Sequence, residues 1–264
     1  MKIGIVTDIQ FSSYSSQRGR DYAQSLENTK KILTIFRGLG IETILNLGDL
    51  IDGDERSLDE VLPLFEGFKC HHVLGNHDFL VPDASKNAVM KQLGFSSAIG
   101  YRHFNLAGWT ILVLDGTEIS HFRYSRQDAR FKETQKLISY YYPDMPYYGG
   151  AISQEQILWL NDVLKTLDRP TIILCHYPIF PKGIHSLENA YEVCSVLSQS
   201  EKICAVFSGH EHCGKYRLER RVHHITFSSI LEQNSYAVLE LNDQIGNIQI
   251  FNGVIENLNL LERA

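Results

Sequence analysis

The chain has 264 residues, 44% of them hydrophobic, enough to bury a full core as one large domain or two small ones. Its net charge of -6 removes the electrostatic case for a nucleic-acid polymer as partner, because no basic arm or stripe offsets phosphate repulsion; the one dense basic stretch, KYRLERRVHH, reads as a solvated strand face. No run of about 18 apolar residues exists to span a membrane, and the opening MKIGIV is too short and too soon polar for a signal peptide.

In chain order, KIGIV reads as a buried strand, and DYAQSLENTKKILTIFRGLG as an amphipathic helix closed by glycine. IETILNL is a second strand and SLDEVLPLFEGF a second helix, with Pro63 at a kink or a boundary. CHHVLG is a third strand, followed by a helix within ASKNAVMKQLG. This β-α-β-α-β opening predicts parallel strands with right-handed crossovers. YRHFNLAGWTILVLDG predicts a hairpin turning through LAGW. SQEQILWLNDVLKTL is a strong helix, with Ser153 as N-cap and Gln156 three residues on in a capping box. TIILCH is a further buried strand, SLENAYEVCSVLSQ a helix and ICAVFSGH another strand. RVHHITFSS, SYAVLEL and NIQIFN read as closing antiparallel strands, the last two joined by the turn-rich NDQIG.

Parallel crossovers followed by hairpins predict an α/β fold of two mixed sheets packed as a sandwich and flanked by helices, over a single domain spanning 1–264. Residues 116–150, rich in Tyr and Arg and without clear periodicity, read as a functional insert on the substrate side. The five cysteines (Cys70, Cys175, Cys194, Cys204 and Cys213) form no C-x-x-C pair, which predicts a reducing, cytoplasmic setting.

The residues that end the buried strands carry the chemistry. The first strand runs into Asp8 and Gln10, the second into GDLID with Asp49, the third into GNHD with Asn76 and His77. TIILCH ends in His176, and ICAVFSGHEH in His210 and His212. In open α/β sheets ligands collect at the carboxyl ends of strands. Carboxylate, amide oxygen and imidazole together suit two divalent first-row cations, one carboxylate bridging them to offset their repulsion. Singly, each residue has a plain reading as a helix cap, a turn residue or a core histidine; five such fragments in order do not.

The series Asp8-x-Gln10, GDLID, GNHD, CH and GHEH, from residue 3 to about 214, resembles the calcineurin-like metallophosphoesterases. Their first motif is commonly D-x-H, and Gln10 departs from it. With GGAISQEQILWL and RDYAQSL, the departure is most similar to the manganese-dependent ADP-ribose/CDP-alcohol diphosphatase branch. The resemblance implies the four-layer αββα fold. It implies one metal on Asp8, Gln10, Asp49 and His212, and a second on Asp49, Asn76, His176 and His210, with Asp49 bridging. Manganese is the implied preference, with iron, zinc or magnesium as alternatives. His77 takes the position that stabilises the transition state or protonates the leaving oxygen, and Asp78 beside it is a candidate to orient the ring.

The implied reaction is hydrolysis of the diphosphate bond of ADP-ribose, CDP-alcohols or related small nucleotide compounds to a nucleoside monophosphate. The alternatives are a cyclic-nucleotide phosphodiesterase or other phosphoesterase of the same superfamily, or a non-catalytic scaffold. For the substrate, Arg20 and Tyr22 fall in the implied substrate-side segment. Phe11 and the tyrosines 140–142, 147 and 148 are candidates to stack a base. Cys213 adjoins the metals through His212. His71, His72, His103, His121, His185, His223 and His224 are assigned to packing or surface.

Overall fold

The computed structural model describes residues 1–14, 19–95, 99–253 and 256–262. β1 (Lys2–Val6), β2 (Thr43–Asn46) and β3 (Lys69–His72) run parallel. The first crossover is α1 (Tyr22–Gly38), capped by the Asp21 carboxylate, which accepts from Gln24 N at 2.9 Å. The second is α2 (Ser57–Val61), which passes into a 3-10 turn over Leu62–Phe65. Pro63 opens that turn, so the single helix expected there ends before it: proline lacks the N–H that would extend the α-helical ladder.

After α3 (Lys86–Gln92), β4 (Arg102–Leu106) and β5 (Trp109–Val113) form the expected hairpin, turning through Ala107 and Gly108, both at positive φ. Next come α4 (Ala129–Tyr141), α5 (Gln154–Lys165), β6 (Thr171–Leu174), α6 (Ala190–Leu197) and β7 (Ile203–Ser208). The chain closes with β8 (Lys215–Glu219), β9 (Val222–Thr226), α7 (Ile230–Gln233), β10 (Tyr236–Asn242), β11 (Ile245–Phe251) and β12 (Asn257–Asn259). One sheet has the order β12-β11-β10-β1-β2-β3 and the other β4-β5-β6-β7-β9-β8.

Both sheets are mixed, and helices cover them, as expected. Two readings need correction. RVHHITFSS reads with the antiparallel strands that follow it, but β9 lies parallel to β7 and antiparallel to β8, in the other sheet from β10. A tight turn at Arg220 and Arg221, both at positive φ, joins β8 to β9. The stretch 116–150 is not without regular structure. It contains α4, which buries only Thr134 and Ile138 and so shows no apolar stripe at helical period. Ile138 packs in a small separate cluster with Ile119, Met145 and Ala151.

Strand residues alternate between two buried environments. Ile3, Ile5, Leu45, Trp109, Ile111, Ile172 and Leu174 fill the space between the sheets. Their neighbours Val6, Ile44, Leu112 and Ile173 belong instead with Phe36 of α1 and Leu160 of α5. Strands buried on both faces read as continuous apolar runs, which is why the sequence marks them so clearly. Each fully buried Leu or Ile contributes about 1.5–3 kcal/mol to this packing. Among the described residues no helix is long and apolar enough to cross a membrane.

At the start of α5, Ser153 Oγ accepts from Gln156 N at 3.1 Å. The Gln156 side chain does not reach back to complete the expected capping box. It bridges to Asp115 instead, accepting from Asp115 N at 2.9 Å and donating to Asp115 O at 3.1 Å. Ser153→Ala is expected to lower stability by about 1 kcal/mol, read as a lower urea midpoint at unchanged slope. An unchanged midpoint would show that the cap contributes nothing.

Candidate metal centre

The carboxyl ends of β1, β2 and β3 in one sheet, and of β6 and β7 in the other, face one another across the top of the sandwich. Asp8 N donates to Gly48 O at 3.1 Å and Gln10 N to Asp49 O at 2.9 Å, so the first two loops lie side by side. Gly209 N donates to His176 O at 2.9 Å, and His210 N to Asp8 Oδ2 at 3.0 Å, which ties the second sheet to the first. Close approach requires glycine at Gly48: its φ is +109°, and a Cβ there would lie 2.6 Å from His176 Nδ1. A side chain at Gly75 would collide with the Asp49 carboxylate.

Asp8, Gln10, Asp49, His210 and His212 all adopt left-handed backbone, with φ between 45° and 69°. Such conformations cost about 1–3 kcal/mol each and gather at functional sites, where the surrounding structure holds them.

Asp49 sits at the centre and is fully buried. Its Oδ2 is 3.0 Å from Gln10 Nε2 and 3.2 Å from His176 Nε2, and its Oδ1 accepts from His77 N at 2.8 Å. On one side, Gln10 Nε2 stands 2.9 Å from His212 Nε2, which lies 3.6 Å from Asp8 Oδ1. On the other, His176 Nε2 lies 3.2 Å from Asn76 Oδ1, and Asp49, His176 and His210 each offer a ligand atom, the three within 4.8 Å of one another. Two groups of donors thus form, with Asp49 in both.

Asp8 Oδ1, Gln10 Oε1 and His210 Nε2 are buried and make no hydrogen bond. Buried polar atoms are nearly always paired, so unpaired ones on three of the residues gathered here fit a site built for cations. The charges agree. Burial would raise the Asp49 carboxyl, but the His176 and His77 charges hold it well below the usual range. Burial would lower the His176 ring, but Asp49 holds it up at about 9. His210 is pushed well below its ordinary value by burial and by the His176 charge, which keeps it neutral, the form that ligates a metal.

His77 has a different partner from the one considered first. Asp78 faces the backbone, accepting from Leu50 N at 2.8 Å, Gly75 N at 3.0 Å and Asp49 N at 3.2 Å. It knits the second and third loops together; burial and the Asp49 charge push its carboxyl up to about 7. The residue that holds the His77 ring is Asp52, whose Oδ1 meets Nδ1 at 2.6 Å. Asp52 Oδ2 accepts from Arg20 at 2.8 Å and Tyr22 at 2.6 Å. Burial raises the Asp52 carboxyl, but His77, Tyr22 and Arg20 together hold it at about 2. Burial lowers His77, yet Asp49 and Asp52 leave it above its ordinary value.

A cleft of about 630 Å³ opens over these groups. Gln10, Arg20, Asn76, His77, His210 and His212 line it, together with Phe122, Tyr147 and Tyr148 from the 116–150 stretch. Of the tyrosines, Tyr140 and Tyr141 are exposed on α4, and Tyr142 packs against the Ile138 cluster. Phe11 is not a stacking platform: it is 4% exposed, packed in the core and bridged to Ile51. Tyr22 is buried too, and its hydroxyl is engaged by Asp52. Cys213 is exposed and does not line the cleft among the described residues. His185 does line it, its ring 5.3 Å from Tyr148 and 5.7 Å from His210, against the expectation of packing or surface. His71 stacks on Phe104 at 4.1 Å, and His223 meets Tyr216, as packing residues.

A family model described as calcineurin-like phosphoesterase matches residues 1–214. The chain belongs to that family. The phosphoesterase is 25% identical over 290 residues to the manganese-dependent ADP-ribose/CDP-alcohol diphosphatase of Xenopus laevis, covering 87% of this chain and 80% of the relative. It is 26% identical over 266 residues to the protein of the same name from Oryza sativa subsp. japonica, covering 87% and 83%. Among solved structures, a dimetal phosphatase from Danio rerio superposes on the phosphoesterase with a TM-score of 0.84 over 98% of both chains, at 20% identity. That likeness establishes the fold, two sheets and flanking helices alike.

Sequence reasoning missed Glu232, which reaches the cleft from α7. A signal was present: Ser229 followed by Glu232 is a capping-box pattern, and Ser229 Oγ accepts from Glu232 N at 3.1 Å.

Proposed function

We propose that this phosphoesterase hydrolyses the diphosphate bond of ADP-ribose, CDP-alcohols or related nucleoside diphosphate compounds, releasing a nucleoside monophosphate. The names of its relatives support the substrate class and the preference for manganese. The observation that carries the reading is Asp49, shared by two groups of donors that include three buried atoms without a hydrogen bond. In this reading Asp8, Gln10, Asp49 and His212 hold one metal, and Asp49, Asn76, His176 and His210 the other. When bound, two divalent cations polarise phosphoryl oxygens and make water acidic enough to attack near neutral pH.

The chain's own residues do the rest. His77, fixed through Nδ1 by Asp52, turns Nε2 toward the cleft, where it protonates the leaving phosphate oxygen. Arg20 lines the cleft while held by Asp52, so its remaining N–H groups face a distal phosphate. Tyr147 and Tyr148 offer ring faces to a base. The whole of 1–264 acts as one unit, with 116–150 as a wall of the cleft. The five free cysteines fit a reducing cytoplasm.

Gln10 presents its amide nitrogen to Asp49 and His212, so ligation through Oε1 requires a half-turn of the amide, a soft two-fold torsion. An amide oxygen is harder than an imidazole nitrogen and favours manganese over zinc. Gln10→His is expected to shift relative activity from Mn toward Zn or Fe by about tenfold, about 1.4 kcal/mol of differential stabilisation. An unchanged metal profile would remove Gln10 from the ligands. The substrate reading is tested by a Mn-supplemented panel of ADP-ribose, CDP-choline, cyclic nucleotides and an aryl phosphate. Diphosphates are expected to be turned over fastest, and a Mn-loaded protein inert toward them would overturn it.

A further inference from the structure

Glu232 lies beyond the residues that the family model matches, which end at 214. Its Oε1 stands 3.0 Å from His212 Nδ1, while Nε2 of the same ring faces Gln10 and Asp8. The four-residue α7 that carries it is too short to hold its own shape, and the site's backbone holds it instead. Ser229 N donates to His212 O at 3.1 Å, Ile230 N to Thr7 O at 3.2 Å and Leu231 N to Asp8 O at 3.2 Å. The same three bonds therefore fix His212, Asp8 and the segment that delivers Glu232.

We propose that Glu232 is a positioning residue for the first metal, holding the His212 ring so that Nε2 is the nitrogen left free to ligate. The inference rests on the dinuclear reading above. A carboxylate at Nδ1 fixes the tautomer and orientation of a ligating imidazole and strengthens it as a donor. The Glu232 side chain is half exposed, so as a bare ion pair the contact would be worth little. Its consequence lies in the nitrogen that it leaves available. The first group needs this more than the second, because His212 is the one imidazole in it. The second group already has a buried equivalent, His176 Nδ1 held by Leu47 O at 2.9 Å.

The test is Mn²⁺ titration of the full-length chain after chelator treatment, with free Mn²⁺ read by electron paramagnetic resonance. Wild type, E232A, E232Q, H212A and H212A/E232A are compared. Wild type is expected to bind two equivalents. E232A should weaken one of them by about 10–100-fold and leave the other unchanged. E232Q, whose amide oxygen still accepts a hydrogen bond, should weaken it less, and H212A/E232A should bind no more weakly than H212A. Two equivalents of wild-type affinity in E232A, equal weakening of both, or an additive loss in the double variant would each overturn the proposal. Fewer than two equivalents in the wild type would sink the dinuclear reading and this inference together.

Discussion

Asp49→Ala is expected to abolish binding of both metal ions and to lower kcat/KM on every phosphate substrate by at least ~1,000-fold, about 4 kcal/mol at 1.36 kcal/mol per decade. The carboxylate is fully buried and touches both groups of donors, through Gln10 on one side and His176 on the other. Removing it takes away the one carboxylate shared by the two groups, and it frees His77 N from its acceptor. Asp78 and Asp52 cannot substitute: Asp78 is committed to the backbone and Asp52 to His77, Arg20 and Tyr22. Asp49 also adopts left-handed backbone, where alanine is strained, so Asp49→Asn serves as the companion variant. The asparagine keeps the shape and removes the charge. Metal content by mass spectrometry and kcat/KM are the readouts, and near-wild-type turnover in either variant would refute the shared role.

On the proposed role of the ring as proton donor rather than ligand, His77→Ala is expected to lower kcat by about 10²–10⁴-fold while both metals stay bound. Asp52→Asn should cost less, about tenfold, because the amide still accepts from Nδ1 but no longer favours the charged ring. The double variant should be no worse than His77→Ala alone, as expected when Asp52 acts through His77. Metal loss from His77→Ala, or losses that simply add in the double variant, would show that the two residues do not work as a pair.

Much of this was legible because strands buried on both faces have to be continuously apolar, and the residues that interrupt such runs then stand out. Asp8, Asp49, Asn76, His176 and His210 could be found this way, each a few residues past a strand. What the sequence hid was of two kinds. Some contacts depend on which loop lies against which. Asp78 follows His77 in the chain, yet it turns back to four backbone N–H groups, and Asp52, 25 residues away, holds the ring. Glu232 reaches the site only because β10 returns beside β1 and brings α7 onto the carbonyls of Thr7 and Asp8. Other elements gave a weak pattern because they bury little. α4 hides two residues and therefore has no stripe, and β9 reads as a strand without any sign of which sheet it joins.

The left-handed backbone at the strand ends has a consequence for how the site can vary. Asp, Asn and His are the side chains that accept this conformation most readily after glycine. Four of the five left-handed donors, Asp8, Asp49, His210 and His212, are of those types; Gln10 is the exception. The loops therefore act as a sieve on the ligands that mutation can try at these positions, rejecting β-branched and bulky replacements before any chemistry is tested. At position 10 the same sieve favours histidine, so the metal preference proposed for Gln10 would be held against the local pull of the main chain.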